Sequence, residues 1–128
     1  MRKAVSVLFV VAALYDGLLG LFFLFAGASV FQWFGVTPPN HWGYVQFPAA
    51  LLIVFAIMFA MVAKNPMANR NLIPYGMLLK LSYCGVVFFY WIKTGIPNMW
   101  KPFAFGDLVF LMLFGWAYRS LAKLLTRS

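Results

Sequence analysis

The chain is nearly without acid. Its 128 residues include two aspartates, Asp16 and Asp107, no glutamate, and ten lysines and arginines. Charged residues are 9% of the total, where a soluble domain carries about 25%. So little polar surface cannot cover a water-soluble fold of this size. There is one cysteine, Cys84, so a disulfide-stapled secreted scaffold is excluded. One cysteine and one histidine, His41, cannot supply a tetrahedral metal site, and bis-histidine haem ligation within the chain is impossible. No Cys-x-x-Cys exists for thiol–quinone exchange, and there is neither a phosphate-binding glycine loop nor a nucleophile elbow. The inventory therefore predicts a protein without catalytic residues, a metal or an intrinsic cofactor.

What is present is apolar. Hydrophobic residues make up 65% of the chain and aromatics 20%, which excludes disorder. Crossing a bilayer takes roughly 20 apolar residues in a helix. Stretches of that length run near Ala4–Gly27, Tyr44–Ala63, Leu72–Ile92 and Phe103–Leu121. Uninterrupted apolar runs lack the in/out alternation of a membrane barrel, so helices are expected. Short connections make neighbours antiparallel. The predicted fold is all-α: one integral membrane domain over residues 1–128, an antiparallel bundle of four transmembrane helices.

The basic residues orient it. Arg2, Lys3, Lys64, Arg70, Arg119, Lys123 and Arg127 fall on one side, with only Lys93 and Lys101 opposite. The positive-inside rule then places both termini in the cytoplasm. Arg2 and Lys3 followed by an apolar run and Ala26-Gly27-Ala28 also resemble a cleavable signal peptide, but the run is long for one and contains Asp16. Arg119, Lys123 and Arg127 repeat every four residues opposite Leu121, Leu124 and Leu125, an amphipathic helix end suited to anionic lipid headgroups. No soluble basic surface is long enough for nucleic acid. The first connection is expected to lay Ser29–Phe34 along the interface before Thr37-Pro38-Pro39-Asn40 turns the chain.

Three ionisable residues fall within spans: Asp16, Lys80 and Asp107. A charge at the bilayer centre costs about 2.5–3.5 kcal/mol even on insertion scales, so such groups face the bundle interior and seek partners. At about 1.5 Å per residue, Asp16 lies roughly 18 Å and Lys80 roughly 12 Å from the cytoplasmic side, and Asp107 about 6 Å below the other. Asp16 and Lys80 are thus the expected direct pair, with Tyr83 placed to donate to Asp16. Asp107 is expected to bond outer loops, Tyr or Trp side chains, or water; a contact with Lys80 needs helix tilt. Ala12, Ala13, Gly17, Gly20 and Gly27 share the broad face of Asp16 and permit close helix approach. Gly76, Lys80, Tyr83 and Cys84 share a face of the third span.

Three readings of this constellation stand open. It is a structural ion pair fixing helix register. It is a polar anchor in an apolar cavity that holds a quinone, carotenoid, sterol-like molecule or lipid headgroup. Or it is a carboxylate that cycles protons during transport.

Tyr15-Asp16-Gly17 in the first span, Leu79-Lys80-Leu81 in the third and Phe105-Gly106-Asp107-Leu108 opening the fourth make the chain similar to the DoxX-like group of small four-helix bacterial membrane proteins. That resemblance implies a bacterial inner membrane and a role like that of accessory subunits of membrane oxidoreductases, including thiosulfate:quinone systems. It transfers no catalytic residue. The size and mid-span carboxylate are also similar to small multidrug-resistance exporters, which use a glutamate in the first span; here the residue is Asp16, Lys80 would neutralise it, and the loops differ. The expected function is therefore an accessory or scaffold subunit of a membrane complex, or a binder of quinone, carotenoid or lipid, in contact with other membrane subunits or its own copies. A proton-coupled exporter acting through Asp16 is the alternative.

Overall fold

The spans become helices because they are apolar throughout and carry their helix breakers at the ends. A computed structural model describes residues 1–127, and nothing is described of the Arg127 side chain, expected on the Arg119–Lys123 face. The helices are α1 (Arg2–Trp33), α2 (Gly43–Lys64), α3 (Ile73–Lys93) and α4 (Lys101–Arg127). Short 3₁₀ turns, Arg70–Leu72 and Asn98–Trp100, lead into α3 and α4. All four helices, with these turns, are long and apolar enough to cross a membrane, and 28% or less of each spanning window is buried. The outward faces are thus the apolar ones, as in a multi-pass membrane protein and opposite to a soluble bundle.

α1 pairs most intimately with α2, and α3 with α4, so the bundle is two hairpins laid together. Val5, Phe9, Val62, Ile73, Ala117 and Leu121 share one buried cluster, which puts the start of α1, the end of α2, the start of α3 and the end of α4 at the same end. We call this the terminal end and the other the loop end. At the terminal end Arg70 donates from Nε to the Tyr118 carbonyl at 2.9 Å, with its guanidinium 3.6 Å from the Tyr118 ring centroid. This ties the α2–α3 connection to α4.

Small residues let α1 and α2 touch. A Cβ on Gly20 would lie 2.7 Å from the Ala49 carbonyl oxygen, and one on Gly17 3.4 Å from the Ala56 Cβ. The first is a backbone-to-backbone approach that no side chain fits. Pro74 and Pro102 sit in first turns, where the missing amide costs nothing. Pro48 lies deeper, within α2, and removes the amide that would have bonded the Tyr44 carbonyl.

α4 has the helical end that the Arg119–Lys123–Arg127 spacing predicts, and α1 is longer than predicted. α4 continues past Leu121 to Arg127, with Leu121 buried and Leu124 packed on the terminal core. α1 does not end at Gly27. It bends at Ala26 (φ −130°, ψ 26°) and runs on to Trp33. The interface segment is therefore a continuation of α1. Its Val30 and Phe31 turn inward, against Phe23 and Met99, while Trp33 and Phe34 remain exposed. The stop is Gly35 at φ +65°: its N–H bonds the Gln32 carbonyl at 3.1 Å, and the Val36 N–H reaches the Phe31 carbonyl at 2.9 Å. This paired closure needs a left-handed residue, and glycine supplies it without strain.

Candidate functional site

Three layers stack along the bundle axis. The terminal end is an aromatic plug. Phe9 stacks on Phe114 with centroids 4.6 Å apart, and Phe59 lies 5.2 Å from Phe114 and 5.8 Å from Phe9. All three are fully buried. Gly76 makes room for them, since a Cβ there would lie 2.6 Å from the Phe59 ring.

Above the plug is an ionic triad. Lys80 Nζ donates to Asp16 Oδ1 at 2.7 Å, to Asp16 Oδ2 at 3.0 Å and to Asp107 Oδ1 at 3.0 Å. The side chains of Lys80, Asp16 and Asp107 are 0%, 1% and 10% exposed. Two of the ammonium's three N–H donors are engaged, one shared by the two Asp16 oxygens and one on Asp107. The charge also faces three rings: Phe110 at 5.1 Å, Tyr15 at 5.3 Å and Phe59 at 5.8 Å from Nζ to centroid. Aromatic faces attract a cation, most strongly when it is desolvated. The triad draws one residue from each of α1, α3 and α4, and so joins the two hairpins where helix contact between them is sparse.

The Asp16–Lys80 pair lies where the depth estimate puts it. Asp107 does not. It meets Lys80, the contact that sequence reasoning ranked second, instead of bonding loops, Tyr or Trp side chains, or water. The reason lies in the start of α4. That helix begins at Lys101, behind a 3₁₀ turn, and sets Asp107 about 9 Å along it at about 1.5 Å per residue. A lysine stem spans what remains. Tyr83 is also displaced from its expected role. Its hydroxyl donates to the Trp100 carbonyl at 2.9 Å and makes no bond to Asp16. It ties α3 to the turn before α4. Cys84, one residue on, points its thiol at the Ala104 carbonyl at 3.3 Å.

The third layer, at the loop end, holds a cavity of about 590 Å³. Asp16, Asp107 and Leu79 border it on the triad side, with Leu19, Phe23, Tyr83 and Phe103 above them. Val36, Thr37, Pro39 and Trp100 line it at the loops. Along α2 the wall is Tyr44, Pro48, Ala49, Leu51 and Leu52. Tyr44, Pro48 and Leu51 are exposed, so this wall reaches the lipid-facing surface. α2 and α3 touch little, which leaves the space between them. Sites for small molecules measure about 300–1,000 Å³ and combine apolar walls with a few placed polar groups.

An apolar cavity beside the charges is one of the readings the sequence leaves open, but its place between α2 and α3 is not legible there, nor are Tyr15, Phe59 and Phe110 around the ammonium. Tyr15 and Phe110 carried a signal: one adjoins Asp16, and the other is a turn from Asp107. Phe59 carried none. His41, two residues before α2, accepts the Gly43 N–H on Nδ1 at 2.9 Å. Among the described residues no three His, Cys, Asp or Glu side chains group to hold a metal. Compared with known protein families, curated proteins and solved structures, the chain matches none.

Proposed function

We propose that the protein is a non-catalytic inner-membrane protein that binds a hydrophobic ligand, of the quinone, carotenoid or lipid class, in its loop-end cavity. The carrying observation is a small-molecule-sized apolar cavity with Asp16 and Asp107 at its base. Apolar walls hold a ligand body, and the carboxylates fix the orientation of its polar head. The basic residues support a bacterial inner membrane with both termini in the cytoplasm, their rim against anionic lipid. The cavity then faces the outer leaflet. Three exposed aromatic residues, Trp33, Phe34 and Tyr44, border this end and offer a surface to a larger complex, in keeping with the DoxX-like resemblance.

The exporter reading is weaker on two counts. Both Asp16 oxygens are held by Lys80, so this carboxylate is not free to cycle. The buried phenylalanine plug closes the path from the cavity to the terminal end. Gentle extraction from the host membrane, then native mass spectrometry and solvent-extract analysis, tests the reading. A reproducible small hydrophobic molecule at a fixed ratio is expected. Protein that carries none, yet moves substrate when reconstituted in vesicles, overturns it.

A further inference from the structure

The cavity base is lined by two carboxylates, Asp16 and Asp107. Lys80 lies beneath them, outside the cavity lining, and holds both oxygens of Asp16 and Oδ1 of Asp107. The Tyr83 hydroxyl is spent on the Trp100 carbonyl. Asp107 keeps one oxygen, Oδ2, that no hydrogen bond reaches among the described residues, on a side chain nine-tenths buried and bordering the cavity. The charges do not balance either: two carboxylates face one ammonium. No other Lys or Arg lies in the middle of a span.

Resting on the ligand-site reading above, we propose that the head of the ligand is a protonated amine, which donates to Asp107 Oδ2 and supplies the missing positive charge. An acceptor-only head, such as an oxidised quinone, would bring carbonyl oxygens against carboxylate oxygens. An ammonium instead completes a two-by-two arrangement of charges within the span, where the low dielectric strengthens their attraction. The volume of about 590 Å³ suits one apolar chain or a small ring system on that amine. Phe23, Phe103 and Trp100 give it aromatic walls.

The test is a native mass spectrometry titration of the full chain in detergent. The probes are dodecylamine, dodecanol, decylubiquinone and lysophosphatidylethanolamine. Dodecylamine is expected to bind one to one, about tenfold to a hundredfold tighter than dodecanol, which can donate to the same oxygen but brings no positive charge to it. Asp107→Asn should erase that preference and leave dodecanol binding unchanged. Asp107→Glu should retain it, which separates lost charge from lost fold. Leu52→Trp fills the cavity wall and should weaken every probe. Lysophosphatidylethanolamine competing as well as dodecylamine would assign the ammonium to a lipid headgroup; its failure would assign it to a free amine. Equal binding of amine and alcohol, or a preference that survives Asp107→Asn, overturns the proposal. If dodecanol or decylubiquinone then still binds in a Leu52→Trp-sensitive way, only the amine inference falls. If no probe responds to Leu52→Trp, the ligand-site reading falls with it.

Discussion

Lys80→Met should be the most damaging single substitution in the triad, and by a calculable order. The lysine makes three hydrogen bonds of 2.7–3.0 Å to two carboxylates with almost no solvent access. Without it, two negative groups lie side by side in the membrane interior. Removing one partner of a buried ion pair costs about 3–5 kcal/mol. Here the loss strands two charges, so the upper part of that range applies. Asp16→Asn removes the better-bonded carboxylate but leaves Lys80 and Asp107 as a neutral pair. Asp107→Asn leaves Lys80 and Asp16, with both short contacts intact, and loses at most one charge-assisted bond, about 1–3 kcal/mol. The expected order of damage is Lys80→Met, then Asp16→Asn, then Asp107→Asn. Replacing all three residues with Met, Asn and Asn should recover most of the stability, because no uncompensated charge remains. Equilibrium unfolding in mixed detergent micelles measures each variant. A Lys80→Met protein within about 1 kcal/mol of the wild type would refute the shared-lysine argument, since no mechanism for a large loss would then be in place. So would a triple variant no better than Lys80→Met.

Three further outcomes follow from the packing. Gly20→Ala should cost about 1–3 kcal/mol by pushing α1 from the Ala49 carbonyl, while Gly85→Ala, with nothing within 4 Å of the new Cβ, should stay within about 0.5 kcal/mol in the same unfolding assay. Phe114→Ala should open a void between Phe9 and Phe59 and cost about 3–5 kcal/mol, read as a lowered thermal midpoint in detergent. Tyr83→Phe should cost about 0.5–1.5 kcal/mol through the lost bond to the Trp100 carbonyl. A double-mutant cycle of Tyr83→Phe with Asp16→Asn should show no hydrogen-bond coupling, because the two side chains do not bond.

The spans were legible because hydropathy is a local property: twenty apolar residues must be buried in lipid whatever their neighbours do. The same holds for the three intramembrane charges and for the small-residue face of α1, each of which a single helix displays along its own length. Helix ends were less legible. α1 continues beyond Gly27 because the chain can bend at Ala26 and bury Phe31, a tertiary gain invisible to a hydropathy window. Gly35 was a readable stop signal in hindsight of its backbone, since left-handed closure calls for glycine.

Pairings were decided only in three dimensions. Depth along a helix brought Asp16 and Lys80 to matching heights, but whether Asp107 joined them depended on where α4 begins and how the two hairpins meet. Tyr83 faces the right way for either Asp16 or Trp100, and the turn before α4 captured it. The cavity exists because α2 and α3 stand apart at the loop end, a distance between elements that no segment encodes alone. Residue chemistry and helical period thus settled which groups must be buried, helix by helix. Relative helix placement, the sum of many weak contacts between distant segments, settled which of them meet.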